Sequence, residues 1–444
     1  MPGSRSFCDN NTVKKFYVHT FGCQMNFHDS ERMSGVLSEK GMSEASGAED
    51  ADLIIFNTCS IRDKAEHKFL SELGRIKILK KKNPALRIAV AGCIAQRMGE
   101  GLFKRAPHVD FLIGPNNLHK IADIDNWHGR SAALGDNPEL AETELPALRK
   151  KKPLAWVSIM FGCNNFCSYC IVPFTRGREV SRPAEKILAE VEALAAAGFK
   201  EITLLGQNVN SYQDTGGQPG LPQLLEKLNG VQGIERIRFV TSHPRDFSGD
   251  LISAMVSLEK VCEHIHLPMQ SGSDRVLSAM NRRYTAGQYL EKVENLRKLV
   301  PDAAITTDLI AGFPGETDED HKATLKMVEE IGFDGVFAFK YSVRPGTAAA
   351  RMDGHLEESI RASRLDEILA LQDEITIEKN NGLLGAEVEV LVEGSSDTDD
   401  SRCTGRTRTN KIVVFASTPA IKPGDLIKIK ITAPGKHSLY GEPG

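Results

Sequence analysis

The residues best suited to chemistry lie in one short stretch, where three cysteines follow the spacing C-x3-C-x2-C. They are Cys163, Cys167 and Cys170, with Tyr169 between the last two. Three thiolates this close in sequence can hold one metal centre, and thiolates are the usual ligands of iron–sulfur clusters. A structural zinc prefers four ligands, and no Cys or His follows Cys170 before His243. The spacing therefore favours a cluster with one open iron over the alternatives, a zinc knuckle or three buried thiols.

A second set of cysteines recurs at the ends of strand-like segments. Cys23, Cys59 and Cys93 each follow a short apolar run and precede a helical pattern. In an open α/β sheet, ligands bind at the carboxyl ends of the parallel strands, so we expect these thiols to meet at one sheet edge. Each cysteine could instead be a small apolar filler. The position that all three share favours a second cluster.

The overall composition is that of a folded globular protein. Its 444 residues exceed one ordinary core, which predicts two or three domains. No segment looks like a targeting signal or reaches the roughly 18 apolar residues of a membrane span, so we expect a cytoplasmic protein with no membrane partner. In the reducing cytoplasm, the nine cysteines are expected to serve as metal ligands or catalytic thiols rather than to form disulfides. With a net charge of -4, any surface for nucleic acid must be local.

The patterns that position these residues divide the chain into regions. Residues 14–130 alternate strands and helices and predict an open α/β domain, and 131–150 form a linker rich in Gly, Pro and acidic residues that ends in a basic run. Residues 151–380 contain six strand–helix units, which imply a parallel sheet curled into a partial, TIM-like (βα)6 barrel. Residues 382–444 alternate in the manner of strands and predict a small all-β barrel. The fold class is therefore α/β with a C-terminal β module.

Polar residues follow several strands of the predicted barrel, where active sites of such barrels lie. The predicted strands lie near 155–160, 201–205, 236–240, 263–267, 304–310 and 335–341. The polar groups at their ends are Gly206–Asn210, Thr241–Arg245, Pro268–Gly272, Asp308 and Arg344–Gly346. Any one is an ordinary turn, but five at equivalent ends suggest a substrate-lined mouth.

Basic residues gather around one predicted turn of the C-terminal module. They are Arg402, Arg406, Arg408 and Lys411. Such a group can contact phosphates of a nucleic acid. The alternative is a hairpin whose basic residues contact only solvent, and the pattern fits it equally well.

Six separate stretches resemble the radical S-adenosylmethionine methylthiotransferase family, in order over about residues 14–444. The family's N-terminal domain, radical core and C-terminal TRAM domain match the three folded regions. The stretches are Thr20–Asn26, Phe56–Asp63, Gly162–Pro183, Gly206–Asn210, Gln270–Asp274 and Gly312–Thr317.

The resemblance implies a reaction and its cofactors. Cys163, Cys167 and Cys170 would hold a 4Fe-4S cluster that reduces S-adenosylmethionine to a 5′-deoxyadenosyl radical, which takes hydrogen from carbon 2 of an isopentenylated adenosine beside the anticodon. Cys23, Cys59 and Cys93 would hold an auxiliary 4Fe-4S cluster for sulfur delivery. A second S-adenosylmethionine would supply the methyl group of the 2-methylthio product.

The resemblance also implies further contacts and partners. Tyr169 would pack near the adenine of S-adenosylmethionine, and Gly206, Gln207 and Asn208 would meet its methionyl end. The TRAM module would grip the backbone of a tRNA anticodon stem-loop. We further expect an electron donor such as flavodoxin or ferredoxin, and a monomer.

Two alternatives stay open at this stage. A sister enzyme of the same chemistry would act on threonylcarbamoyl-adenosine in tRNA or on a ribosomal-protein aspartate. A non-catalytic RNA-binding protein would use the cysteines for structural zinc, although two sets of three lack the fourth ligand that zinc prefers.

Overall fold

The structure is a computed structural model that describes residues 14–60, 63–150, 152–214, 220–396 and 399–444, with only the backbone described at 63 and 64. Residue 151, where the radical core is predicted to begin, lies outside this description. The chain divides into two compact units. One comprises the residues up to Arg149 together with Phe174–Gly177, and the other comprises Lys150–Pro173 and Arg178–Gly444.

The first unit is built on a six-stranded parallel sheet with the order β2-β1-β3-β4-β5-β6. Its strands are β1 (Lys15–Thr20), β2 (Ser43–Glu44), β3 (Leu53–Thr58), β4 (Arg87–Gly92), β5 (Phe111–Ile113) and β6 (Ser131–Ala133). The central strand β3 is apolar on both faces, as expected of a parallel strand covered on both sides. Leu53 and Ile55 pack in one core, and Ile54 and Phe56 pack in another on the opposite face.

Helices cover both faces of this sheet. They are α1 (Gln24–Glu39), α2 (Asp63–Lys82), α3 (Cys93–Met98) and α4 (Gly101–Arg105), with 3-10 helices at Ala48–Asp50 and Pro115–Asn126. Met33 and Leu37 of α1 share a core with Ile121, while Phe69 and Leu73 of α2 belong to the other core. The result is a three-layer α/β arrangement that leaves the carboxyl ends of the strands free for ligands.

The second unit contains a six-stranded parallel barrel sheet. Its strands are β7 (Leu154–Ser158), β10 (Glu201–Leu205), β11 (Arg236–Phe239), β12 (His264–His266), β13 (Ala304–Ala311) and β14 (Gly335–Lys340), with the short pair β8 (Met160–Phe161) and β9 (Val180–Ser181) beside them. The strands form two three-stranded halves, β11-β10-β7 and β12-β13-β14. A parallel bridge between Ile237 and Val261 links the halves. All six lie within two residues of the strands predicted from the sequence.

Helices form the outer layer of this barrel. They are α6 (Ala184–Ala196), α7 (Leu221–Asn229), α8 (Gly249–Ser257), α9 (Asp274–Ala279), α10 (Ala286–Leu299), α11 (Asp318–Ile331) and α12 (Glu358–Asn381). The short α5 (Val172–Thr175) lies between β8 and β9, and 3-10 helices at Val209–Ser211, Pro244–Asp246 and Ala349–Arg351 lie in the connections after strands. One large apolar core joins the inner faces of the outer helices to the outward residues of the strands, such as Ile202, Ile237 and Leu309. Turns at the strand ends are thereby held on a packed scaffold.

The last part of the second unit is a closed five-stranded barrel with the order β15-β16-β17-β19-β18. Its strands are β15 (Glu387–Ser395), β16 (Arg402–Thr407), β17 (Ile412–Ala416), β18 (Leu426–Pro434) and β19 (Leu439–Pro443). Inward residues such as Val390, Val413 and Phe415 fill its core. The predicted fold class is confirmed in all three parts.

Two details refine the sequence-based picture. Strand β6 lies within the predicted linker at 131–150 and pairs in parallel with β5, while the predicted domain boundaries themselves stay predictions. No helix among the described residues is long and apolar enough to span a membrane.

Candidate metal centres and active site

The first cysteine set lies at the carboxyl ends of three neighbouring strands. Cys23 caps the start of α1 after β1, Cys59 directly follows β3, and Cys93 begins α3 directly after β4. The strand order 2-1-3-4-5 reverses between β1 and β3, which is where ligands bind in open α/β sheets. The sheet topology thus directs all three cysteines toward its ligand-binding edge, as the sequence predicts.

Two glycines allow the turns that carry these cysteines to approach closely. Gly22 has φ +124°, and a Cβ there would lie 2.4 Å from Cys59 Cβ. Gly92 has φ +87°, and a Cβ there would lie 2.5 Å from the Thr58 carbonyl oxygen. Because both positions need a left-handed backbone and no side chain, glycine is required at each.

A buried hydrogen-bond network fixes the same turns. Asn57 Nδ2 donates to the Asn26 carbonyl at 2.7 Å and to Ser30 Oγ at 3.0 Å. Asn26 Nδ2 in turn donates to the Thr58 carbonyl at 3.1 Å, and the Ile94 amide donates to Thr58 Oγ1 at 3.2 Å. These bonds tie together the segments that follow β1, β3 and β4.

The electrostatics of this site favour thiolates. The hydrogen bond with Cys59 lowers the pKa of Cys23 to about 6, and the positive charge of Arg176 adds to this effect while burial opposes it. Arg176 is itself buried and pairs with Asp29, Nη2 to Oδ2, at 2.7 Å. Although burial opposes the change, Asp29, Cys93 and Cys23 together raise the pKa of Arg176. A buried cation that interacts with two of the three cysteines fits an anionic thiolate-bound centre.

The second cysteine set lies in the loop after β7 and β8. Cys163 and Cys167 are buried and Cys170 is half-buried. The loop is tied to the end of α9, because the Ser168 amide donates to the Met280 carbonyl at 3.0 Å and Asn281 Nδ2 donates to the Phe166 carbonyl at 3.0 Å. These bonds hold the cysteine loop at the carboxyl end of the barrel.

Burial dominates the electrostatics of this second set. It raises the pKa of Cys163 to about 11 and that of Cys170 to about 12. A thiol that coordinates a metal is nevertheless deprotonated, because the positive charge of the metal outweighs desolvation. Asn165 Nδ2 donates to Cys163 Sγ at 3.6 Å, and Arg282 Nη1 donates to Cys167 Sγ at 3.5 Å.

Arg282 is the clearest candidate site residue that sequence reasoning missed. It is 4 % exposed, and its other hydrogen bonds go to Tyr284 Oη and the Pro268 carbonyl. No described carboxylate pairs with it. Burying a cation without an anionic partner is costly, so this side chain fits thiolates and a negatively charged ligand at the open position. Its signal in the sequence is only a basic residue shortly after the Gln270–Asp274 stretch.

The turns that follow β10 and β11 present polar atoms without partners. Gln207 Oε1, Asn208 Oδ1, Ser242 Oγ and His243 Nε2 are buried and accept or donate no hydrogen bond in the described part of the chain. Asn208 is held from its other end, since Nδ2 donates to Asp246 Oδ2 at 2.7 Å. Buried polar atoms are normally satisfied, so these atoms suit a polar ligand in the barrel mouth, where the sequence predicts Gln207 and Asn208.

The remaining predicted ligand contacts lie in the same region. Tyr169 packs beside the apolar cluster of Phe313 and Tyr341, and burial raises its pKa. A Cβ at Gly206 would lie 2.5 Å from Met160 Cγ, so this turn packs closely on β8. Their contacts with S-adenosylmethionine stay predictions.

Three of the four basic residues of the C-terminal barrel lie in internal ion pairs. Arg406 contacts Glu393 at 2.7 Å, Arg408 contacts Glu263 at 2.7 Å, and Lys411 lies 3.6 Å from Asp334. The fourth, Arg402, has a 48 % exposed side chain and pairs with Asp399 at 3.3 Å. RNA contact by these residues stays a prediction, and Arg402 is the most available for it.

Among the described residues, no group of three or more His, Cys, Asp and Glu side chains is arranged around a single metal ion. The argument that the two cysteine sets bind iron–sulfur clusters instead rests on three features. These are their thiol chemistry, their position at strand ends and the buried cations beside them.

Comparison with known proteins matches three family models to this chain. They are "Uncharacterized protein family UPF0004" at 15–114, "Radical SAM superfamily" at 157–328 and "TRAM domain" at 383–443. A tRNA-2-methylthio-N(6)-dimethylallyladenosine synthase from Thermodesulfovibrio yellowstonii is 53 % identical over 96 % of this chain and 98 % of its own length. One from Syntrophus aciditrophicus is 48 % identical over 97 % of this chain and 94 % of its own.

This chain belongs to the radical S-adenosylmethionine methylthiotransferase family, in the branch of the tRNA-2-methylthio-N(6)-dimethylallyladenosine synthases. It is therefore a radical enzyme that uses an iron–sulfur cluster and S-adenosylmethionine. Among solved structures, a radical S-adenosylmethionine methyltransferase from Kitasatospora setae has a TM-score of 0.56 at 13 % identity, covering 86 % of this chain and 79 % of that one. That likeness concerns the fold alone.

Proposed function

We propose that the protein is a tRNA methylthiotransferase that inserts sulfur and adds a methyl group at carbon 2 of N(6)-isopentenyladenosine beside the anticodon. The product is 2-methylthio-N(6)-isopentenyladenosine. The observation that carries this proposal is the pair of three-cysteine sites, each at the carboxyl ends of parallel strands and each beside a buried arginine. The names of the near-full-length relatives support the substrate.

The radical site would be held by Cys163, Cys167 and Cys170. A 4Fe-4S cluster held there would supply the electron for cleavage of S-adenosylmethionine, and the chemistry would be abstraction of hydrogen from carbon 2 by the 5′-deoxyadenosyl radical. Arg282 would balance negative charge at the sulfur of Cys167. Buried oxygens of Gln207 and Asn208 would accept hydrogen bonds from the amino group of S-adenosylmethionine.

The auxiliary site would be held by Cys23, Cys59 and Cys93, which gives two clusters in total. Arg176, fixed by Asp29, would offset the charge of its three thiolates. A second S-adenosylmethionine per product, an electron donor such as flavodoxin or ferredoxin, a monomeric state and a cytoplasmic location belong to the same proposal. The target adenosine would have to leave the stack of the anticodon loop to reach the barrel mouth.

Iron and acid-labile sulfide, measured per chain under anaerobic conditions, test the two-cluster count. The wild type is expected to hold about eight irons and a Cys163→Ala, Cys167→Ala, Cys170→Ala variant about four. The matched variant Cys23→Ala, Cys59→Ala, Cys93→Ala is expected to hold about four as well. If the wild type held only about four irons and the first variant none, Cys23, Cys59 and Cys93 would be packing residues and sulfur insertion would lose its source.

The sister enzymes are separated from this proposal by the modified nucleosides of a deletion strain. Loss of the 2-methylthio isopentenyl nucleoside is expected. Loss of the threonylcarbamoyl derivative instead, with the isopentenyl product intact, would refute the assigned substrate.

A further inference from the structure

The inner face of the barrel carries a polar and aromatic surface on β12, β13 and β14 that contains none of the residues assigned above to the cofactors. Along β13, Ile305, Thr307 and Leu309 are buried, whereas Thr306 and Asp308 between them are half-buried. Ile305 and Leu309 belong to the core shared with the outer helices. Because side chains alternate along a strand, Thr306, Asp308 and Ile310 face the inside of the barrel.

Strand registers place two exposed phenylalanines on the same inner face. Phe337 of β14 lies opposite Asp308, and Phe339 lies opposite Ile310. Their exposed fractions are 53 % and 40 %. Val336 and Ala338, which alternate with them, pack instead against the core on the outer side. Interiors of closed barrels are filled by apolar layers, so two exposed aromatic rings here leave room for a ligand.

A carboxylate is held beside these rings. His266 of β12 contacts Phe337 edge-on with centroids 5.7 Å apart. Its Nδ1 lies 3.0 Å from Thr306 Oγ1, and its Nε2 lies 3.4 Å from Asp308 Oδ2. The other oxygen of Asp308 has no hydrogen-bond partner among the described residues, and the side chain is 32 % exposed. This oxygen is an acceptor on the inner face.

The surface lies close to the radical site. Ile310, which is paired with Phe339, packs against the apolar cluster around Phe313 and Tyr341, and Tyr169 packs against the same cluster. Tyr169 stands between the cysteines Cys167 and Cys170. A ligand on the ring of Phe339 would therefore lie near the cysteine loop.

We propose that Phe337, Phe339 and Asp308 form the subsite for the N6 substituent of the target adenosine. This inference rests on the proposed function. The two rings cover the apolar alkenyl chain, and the free oxygen of Asp308 accepts the hydrogen of the secondary amine N6–H. The same carboxylate repels the carboxylate of a threonylcarbamoyl group. The subsite thus explains why the isopentenyl substrate would be chosen over that of the sister enzyme.

Binding of anticodon stem-loop RNAs to the cluster-containing protein, without reductant and under anaerobic conditions, tests the subsite. The RNAs carry adenosine, N(6)-isopentenyladenosine, N(6)-methyl-N(6)-isopentenyladenosine or threonylcarbamoyl-adenosine at the target position. The wild type is expected to favour the isopentenyl RNA over the adenosine RNA. Phe337→Ala and Phe339→Ala should each reduce this preference about tenfold, since each ring covers about two carbons of the substituent.

Matched variants separate the subsite from general damage. Leu299→Ala, at a site 55 % exposed on the outer helix α10, should leave the preference unchanged. Phe337→Leu should retain most of it because the apolar surface remains. Asp308→Ala should abolish the discrimination against the methylated N6, and Asp308→Asn should strengthen binding of the threonylcarbamoyl RNA several-fold.

Two results keep failure of the subsite distinct from failure of the function. If the wild type makes the 2-methylthio product and the phenylalanine variants keep the full preference for the isopentenyl RNA, the subsite is wrong and the function stands. If the wild type makes no product from that RNA but makes it from the threonylcarbamoyl RNA, the function and with it the subsite are wrong.

Discussion

Removal of the Arg408 side chain distinguishes a structural clamp from an RNA contact. Arg408 lies in the turn between β16 and β17, where Nε and Nη2 donate to Glu263 at 2.7 Å and Nη2 also donates to the Val261 carbonyl at 2.7 Å. Arg238 of the barrel donates in return to the carbonyls of Thr407 and Arg408, each at 2.7 Å. The turn is thus bonded to the barrel in both directions.

The magnitude follows from these contacts. Hydrogen bonds to charged groups contribute about 1.5–3 kcal/mol each. The side chains of Arg408 and Glu263 are 27 % and 29 % exposed, so solvent screening reduces the combined loss to about 2 kcal/mol. Amides of the turn that open locally should then exchange roughly 30-fold faster in Arg408→Ala. Glu263→Ala removes the same pair and should have a similar effect.

The assay combines amide hydrogen exchange of the peptide spanning Thr407–Lys411 with RNA affinity measured against salt concentration. A clamp predicts faster exchange in both variants and an unchanged salt dependence in both. A phosphate contact instead predicts that Arg408→Ala lowers the salt slope by about one while Glu263→Ala does not. That second pattern would refute the clamp and restore Arg408 to the RNA surface.

Three further substitutions test the first cysteine set, the radical site and the barrel mouth. Gly22→Ala should lower the iron content by about four irons per chain, because its Cβ would lie 2.4 Å from Cys59 Cβ. The control is Gly41→Ala, since Gly41 also has a left-handed backbone at φ +82° but no atom within 4 Å of its Cβ position. This variant should retain the full iron content. Arg282→Met should lower the reduction potential of the radical cluster by about 60 mV in an electron-paramagnetic-resonance titration, the effect of one lost charge-assisted bond, and Arg282→Lys should restore part of it. Burial lowers the pKa of His243 to about 2 from 6.5, so below pH 6.5 the unfolded chain binds a proton that the folded chain does not. Stability should therefore fall with decreasing pH by up to ~1.4 kcal/mol per unit, and thermal unfolding of His243→Gln should show a shallower fall; an unchanged slope would contradict this.

The strand ends could be read from the sequence because their signals are local. Each cysteine of the first set follows a strand pattern, which is apolar and buried in β3 and β4. Gly22 and Gly92 form the turns after β1 and β4. The structure confirms these positions. Periodicity likewise predicted the six barrel strands, because the outward side of each strand packs on helices and is consistently apolar.

Long-range pairs could not be read in this way. Arg176 and Asp29 are 147 residues apart, and nothing near either residue indicates that a guanidinium will be buried beside Cys23. In the C-terminal turn, a local sequence pattern is present but its partners are not the expected ones. Its basic residues resemble a phosphate site in sequence, but the partners of Arg408 and Lys411 are carboxylates at Glu263 and Asp334, which only the fold brings near.

The two ends of the barrel use polar residues in opposite ways. At the starts of the strands, Arg236 and Arg238 donate to carbonyls of the C-terminal barrel at 2.6 and 2.7 Å. These bonds stabilise the attachment of that module, although Arg236 Nε has no hydrogen-bond partner among the described residues. At the carboxyl ends, buried atoms of Asn208 and Ser242 find no partner in the described chain. Unpaired buried polar atoms cost free energy, and at the barrel mouth a polar ligand can satisfy them. The unpaired amide and hydroxyl atoms of Asn208 and Ser242 lie at the end of the barrel that carries Cys163, Cys167 and Cys170. Substrate and cofactor are therefore expected to meet there, and the C-terminal barrel is expected to secure the opposite end.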